Sequence, residues 1–224
     1  MKTKFSEVEL AVIVVDYLQS KDWDVYQEIQ FGSFGGSADI VALKNNELWI
    51  IECKTSLTFV VLEQAYNWPV TYRSIAIPLS RRDNRGRDFA YKVCREFQMS
   101  ALEVDINEHD VTHIIGFTKN TKTYSDKNEK KMIENLTPYH KNGIAGSTSG
   151  GTQTPYKVTM MKIREFIETN PKCTLNEIIE SVGKSHYANT NSAKQGIRTA
   201  LTNWETWCGH GWDNKKGSFV FFIR

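Results

Sequence analysis

Hydrophobic positions along residues 6–115 follow two alternating rhythms, one of period 3.6 and one of period 2. Residues 6–19 place Val8, Ala11, Val12 and Val15 on one helical stripe. Ser6, with Glu9 three positions on, has the spacing of a capping box. "WDVYQEIQ" then reads as a strand and "FGSFGG" as a turn. Two apolar runs, residues 38–44 and 47–54, flank Asn45-Asn46 and predict a hairpin, because asparagine tolerates the positive φ that tight hairpin turns need. Next come a helix in "TFVVLEQAYNW", a strand in "YRSIAIPL", a helix in "GRDFAYKVCREFQM", and strands in "ALEVDI" and "VTHIIGF". Strands alternating with helices predict an α/β fold with a mixed sheet covered on both faces.

The rhythm changes downstream. "KNTKTYSDKNEKK" is polar and reads as exposed, and "NGIAGSTSGGTQTP" is nearly uncharged and rich in Gly, Ser and Thr. These signals predict a domain over residues 1–136, a flexible linker over 137–156 and a second domain over 157–224. The last part carries a helix at 157–169 and a second helix, "LNEIIESV", capped by Thr174 with Glu177 in the capping-box position. A third helix spans about 190–205, and a closing hairpin runs through "WCGHGWDNKKGSFVFFIR". Three helices followed by a hairpin is the order of a winged helix, a small α+β domain. Trp204, Trp207 and Trp212 are assigned to core and wing packing.

The overall charge of +2 conceals a difference between the two parts. Residues 1–136 hold 17 Lys+Arg against 20 Asp+Glu, and residues 137–224 hold 11 against 6. The basic second part favours a polyanionic partner. On a winged helix, Lys194 and Arg198 would lie one turn apart on the third helix. Lys215 and Lys216 would lie at the wing tip, and Lys184 and His186 in the preceding loop, a distribution that suits DNA; a winged helix used for protein contacts or dimerisation is the other reading. Arg81, Arg82, Arg85 and Arg87 in "RRDNRGR" would grip phosphates or form a solvated loop. No run is long enough for a membrane span, and the acid-interrupted N-terminus does not read as a signal peptide. Cys53, Cys94, Cys173 and Cys208 are scattered, without a CxxC pair. They read as free thiols in a reducing compartment, hence a cytoplasmic location.

The hairpin carries the candidate chemistry. A turn centred between Asn45 and Asn46 makes opposed residue numbers sum to 91, which sets Asp39 against Glu52 and Ser37 against Lys54. Like charges opposed on a sheet repel by up to about 1 kcal/mol when exposed, and by more at the rim of a core. A divalent cation would relieve this. Glu52 and Lys54 share a strand face while Cys53 points away. Oxygen ligands in this pattern suit Mg²⁺, with Mn²⁺ as a substitute.

A helix bearing glutamates, then a hairpin with Asp39 on one strand and Glu52-Cys53-Lys54 on the next, then a helix, resembles the PD-(D/E)XK nuclease superfamily. The resemblance covers about residues 5–106. Ala38 stands where the proline before the aspartate is usual. The resemblance implies a restriction-endonuclease-like fold, with Asp39, Glu52 and the Cys53 backbone carbonyl as metal ligands and Lys54 orienting or deprotonating the attacking water. It also implies a completing glutamate on the first helix. Glu7 is chosen because Glu9 has the cap to serve; the alternative is that Glu7 serves only the helix N-terminus. In resolvase-like members a glutamine on the following helix approaches the site. Gln64, read as lying on the stripe of Leu57, Val60, Val61, Ala65 and Trp68, is therefore either a site residue or a satisfied core amide. The expectation is a metal-dependent DNA endonuclease, alone, as a homodimer or with a partner protein. The alternatives are a catalytically silent or partner-activated DNA-binding protein, or a nuclease directed at RNA or single strands.

Overall fold

The computed structural model describes residues 5–31, 36–80, 85–143, 145–146 and 154–224. The chain divides into two compact units, Met1–Gln153 and Thr154–Arg224.

The first unit is α/β. Its elements run α1 (Glu7–Gln19), β1 (Asp24–Phe31), β2 (Gly36–Lys44), β3 (Glu47–Cys53), α2 (Phe59–Tyr66), β4 (Tyr72–Pro78), α3 (Arg85–Glu96), β5 (Ser100–Asp105), β6 (Asp110–Ile115) and α4 (Asp126–Asn135). The six strands form one mixed sheet in sequential order. β1, β2 and β3 pair antiparallel, β3–β4 and β4–β5 are parallel, and β5–β6 is antiparallel. The two parallel joints are the ones bridged by α2 and α3, as parallel strands require a crossover.

Alternation along β3 divides the core. Trp49, Ile51 and Cys53 pack with Leu10, Ala11, Val14 and Leu18 of α1 on one face. Leu48 and Ile50 pack with Trp68 and Met132 on the other, and α2 and α3 cover the rest of that second face through Val61, Ala65, Ala90 and Cys94. Ser6 caps α1 as its spacing predicts: Glu9 N–H donates to Ser6 Oγ at 3.2 Å, and Ser6 N–H to Glu9 Oε2 at 2.8 Å.

Two segments of the first unit depart from expectation. The polar stretch before residue 136 contains α4, which is not merely exposed. Its Glu129 is buried, accepting from Leu48 N–H at 2.6 Å and from the Thr71 hydroxyl at 2.7 Å. The expected linker does not begin at 137. Pro138–Asn142 form a 3-10 turn, His140 and Ala145 are buried, and Ala145 N–H donates to Gln27 Oε1 at 3.1 Å. In the interior, Arg73 of β4 is fully buried. Its guanidinium donates to the Tyr66 carbonyl, to Phe97 O at 2.6 Å and to Thr123 Oγ1 at 2.6 Å, and burial lowers its pKa to about 10.

The second unit comprises α5 (Pro155–Thr169), β7 (Cys173–Thr174), α6 (Leu175–Val182), α7 (Thr190–Asn203), β8 (Cys208–Asp213) and β9 (Ser218–Ile223). Its small sheet has the order β7–β9–β8. The Thr174–Glu177 capping box forms. Ile163, Ile167, Ile178, Ile197, Leu201 and Phe221 fill its core. Trp204 and Trp212 are each 65% exposed, so neither is a core residue. Trp207 is half-buried and donates to Glu205. All four cysteines are buried and unpaired. Among the described residues, no helix is long and apolar enough to cross a membrane.

Glu129→Ala should destabilise the first unit by roughly 2–4 kcal/mol, because it strands the buried Leu48 N–H and Thr71 hydroxyl. Glu134→Ala, on the exposed side of the same helix, should change stability by no more than about 0.5 kcal/mol. Urea unfolding of both variants checks the difference.

Candidate active site

The hairpin register brings the acids together. Asn45 and Asn46 both adopt left-handed backbone, with φ of 50° and 65°, which is the geometry of a two-residue turn matched to strand twist. The ladder runs from Lys44↔Glu47 through Leu43↔Leu48 to Ile40↔Ile51. The next residues outward are Asp39 and Glu52. There Cys53 N–H donates to Asp39 Oδ2 at 2.8 Å, and β3 continues to hold β4 through Lys54 N–H to Ala76 O at 3.0 Å.

Both acids are removed from water: Glu52 is 1% exposed and Asp39 9%. The two groups lie close enough for each to influence the other's ionisation. Burial raises the Glu52 pKa first and the adjacent Asp39 raises it further. The Trp68 indole and Lys54 oppose this only in part, and the group is pushed up to about 8. Asp39 is also raised, by burial and then against the pull of Lys54 and the Cys53 N–H. The pair therefore favours holding a proton near neutral pH.

Lys54 closes the cluster. Its ammonium lies 3.1 Å from Glu7 Oε2 and 3.7 Å from Asp39 Oδ2. Burial pulls its pKa down, but Asp39, Glu7 and Glu52 together outweigh that, and the net shift is upward. Lys54 is thus a cation and a hydrogen-bond donor at neutral pH. Glu7 reaches it from the first turn of α1 because Glu9, two residues on, is occupied with the Ser6 cap.

Trp68 belongs to this site although its apolar character placed it only in the core. Its Nε1–H donates to Glu52 Oε1 at 2.7 Å. A buried indole needs an acceptor, and that requirement is the one sequence signal pointing to it. Its ring lies against Phe31 and beside Gly36.

Gln64 does not join the cluster. It lies on the exposed side of α2, whose buried residues are Val61, Leu62 and Ala65, and Val60 is 60% exposed as well. The helix is only eight residues long, and its stripe is rotated from the one read in the sequence. Arg87 also departs from expectation. It pairs with buried Glu103 at 2.5 Å and donates to Pro78 O at 2.8 Å, so it ties α3 to the sheet and offers no free charge. Arg85 is exposed, while Arg81 and Arg82 lie outside the described residues.

In the second unit Lys184, Arg198, Lys215 and Lys216 are exposed and Lys194 is half-buried. Lys216 pairs with Glu177 at 3.2 Å, and Asp213 accepts from the backbone N–H groups of Lys215 and Lys216, at 2.8 and 3.1 Å, shaping the β8–β9 turn.

Among the described residues, no group of three or more His, Cys, Asp or Glu side chains is gathered as a ready metal cage. The donor set is a carboxylate pair, with Glu7 held across Lys54 from it. No protein-family model matches the chain, and comparison with curated proteins finds no match.

The raised Glu52 pKa has a sign that can be tested. Between about pH 4.5 and 8 the unfolded chain has lost the proton that folded Glu52 keeps. Stability of the metal-free protein should therefore fall as pH rises through this window and level off above it. Asp39 acts in the same direction. Glu52→Gln should flatten most of the fall. Thermal unfolding by circular dichroism in EDTA, at steps from pH 4.5 to 9, measures it; parallel curves for the two proteins would show that Glu52 is not the group responsible.

Proposed function

We propose that the first unit is a metal-dependent nuclease of the PD-(D/E)XK type and that the second is a winged-helix DNA-binding domain. The observation that carries the reading is the buried Asp39–Glu52 pair with the Lys54 ammonium beside it, at one end of a hairpin in the middle of the sheet. An order of helix, three antiparallel strands, and two helical crossovers to parallel strands supports a restriction-endonuclease-like fold.

The donor chemistry fits Mg²⁺ or Mn²⁺. Hard carboxylate oxygens suit these ions, which bind through one or two carboxylates and complete their shells with water and substrate phosphate. A cation would also remove the repulsion that now holds a proton on the pair. Asp39 and Glu52 would hold it, with the Cys53 carbonyl at the same strand end and Glu7 adjacent. When bound it would supply an electrophile that offsets charge developing on the phosphate.

The rest of the chemistry belongs to the chain. Lys54, charged at neutral pH, acts as a donor: it orients the attacking water or a phosphoryl oxygen and does not take the water's proton. Asp39 and Glu7 hold the ammonium from two directions and restrict its swing. The Trp68 N–H fixes one Glu52 oxygen and leaves the other for the pair.

In the second unit, the short strand β7 joins the β8–β9 hairpin, giving the three-helix, three-strand order of a winged helix. Its third helix, α7, carries Lys194 and Arg198 where such domains meet DNA.

Supercoiled plasmid incubated with Mg²⁺, Mn²⁺ or EDTA tests the catalytic reading. Cutting should require the metal, and Asp39→Ala, Glu52→Ala and Lys54→Ala should each lower it by on the order of 10²–10³-fold. Metal-dependent cutting retained in all three variants would place the site elsewhere.

Duplex binding measured across a salt series tests the second unit. Lys194→Ala and Arg198→Ala should each weaken binding and reduce the slope of log K against log salt by about 1. Unchanged slopes in both would remove α7 from the DNA contact.

A further inference from the structure

β1 departs from its ladder at one residue. Gln27↔Ile40 and Ile29↔Ala38 are paired, so Glu28 stands at the register position of Asp39. Glu28 has φ of 52° and is 7% exposed. A buried glutamate in left-handed backbone is uncommon, and such a conformation costs about 1–3 kcal/mol unless the surroundings hold it.

What holds it lies far along the chain. Glu28 Oε1 accepts Gly146 N–H at 2.8 Å, beside the Ala145 N–H bond to Gln27 Oε1. The two glycines here are sterically required. A Cβ on Gly143 would lie 2.2 Å from the Gln27 carbonyl oxygen. A Cβ on Gly146, whose φ is +76°, would lie 2.7 Å from Glu7 C and 2.8 Å from both Glu7 Cβ and Val8 N. These neighbours are backbone or backbone-fixed atoms that cannot swing aside. Gly146 is thus pressed against the residue whose carboxylate holds Lys54 at 3.1 Å.

We infer that Glu28 and Gly146 are positioning residues for the Glu7–Lys54 pair. Glu28 leaves the ladder to hold Gly146, Gly146 abuts the first turn of α1, and that contact sets where the Glu7 carboxylate meets the lysine. The catalytic consequence rests on the nuclease reading above; the positioning itself does not.

Zero-length carbodiimide coupling of the full-length protein separates the two. Lys54 has two carboxylates in reach, Glu7 and Asp39, so the ratio of Glu7–Lys54 to Asp39–Lys54 cross-links, read by mass spectrometry, reports Glu7 placement with an internal reference. Glu28→Ala and Gly146→Ala should lower that ratio severalfold. Glu28→Gln, which keeps the acceptor oxygen, should hold it. Plasmid cutting by the same proteins should show kcat falling by up to about 100-fold with KM little changed in the first two variants, and rescue in Glu28→Gln. If Gly146→Ala does not fold, Glu28→Ala against Glu28→Gln decides. An unchanged cross-link ratio in the folded variants would overturn the inference whatever the activity. A lowered ratio with unchanged kcat, in a wild type that cuts, would overturn its catalytic part. A wild type that never cuts would sink the nuclease reading alone, leaving the ratio to judge the positioning.

Discussion

The two-residue turn at Asn45-Asn46 is the constraint on which the rest of the first unit depends. Side chains alternate along a strand with period 2, so a slip of one residue would turn every side chain of β3 to the other face. Trp49 and Ile51 would leave the α1 core, and Glu52 would point into it. The turn thus decides at once which residues fill the core and where the two carboxylates meet. Asparagine is suited to it because its short polar side chain tolerates the left-handed region that most residues avoid. With the register set, the parallel pairing of β3 to β4 carries the strand end containing Lys54 to the middle of the sheet. There β2 supplies Asp39 on one side and β4 anchors the backbone on the other.

Much of this was legible in the sequence because it rests on local chemistry with few solutions. The hairpin register follows from one dipeptide. The Ser6–Glu9 and Thr174–Glu177 boxes follow from spacing alone, and the first of them distinguishes Glu7 from Glu9 as the glutamate facing Lys54. What was not legible depends on tertiary partners. Helix α4 has a strongly polar sequence and buries mainly Glu129 and Met132, so no apolar stripe announces it. Its acid is satisfied by a strand N–H 81 residues distant in sequence, a pairing no window can contain. Gln64 was misplaced because α2 spans about two turns, where a shift of one position rotates the inferred stripe by about 100°. Arg87 looked like one charge of a basic loop, but Glu103 across the sheet claims it.

Trp68 shows how the site and the core share residues. On one side it packs with Phe31 among apolar neighbours, and on the other its N–H satisfies Glu52. The same double use appears at Cys53, whose side chain fills the α1 core while its N–H restrains Asp39. These two restraints on the acids are thus supplied by residues that packing already fixes, which gives the site rigidity.

The electrostatics of the buried acid pair argue that it is kept for a reason other than folding. Burial and the neighbouring Asp39 both disfavour the charged form of Glu52, so the folded chain loses stability where the pair must ionise. Replacing a buried charged cluster with packed apolar residues is often neutral or stabilising, and the surrounding positions, Ala38, Ile40, Ile50 and Ile51, are already apolar. Glu28 adds backbone strain at the same end of the sheet. A fold selected for stability alone would shed these features. A ligand that binds the ionised pair only in the folded chain reverses the balance, because its binding free energy adds directly to folding. The carboxylates, the lysine and the strained glutamate then form one costly arrangement, which the proposed cation and phosphate would offset.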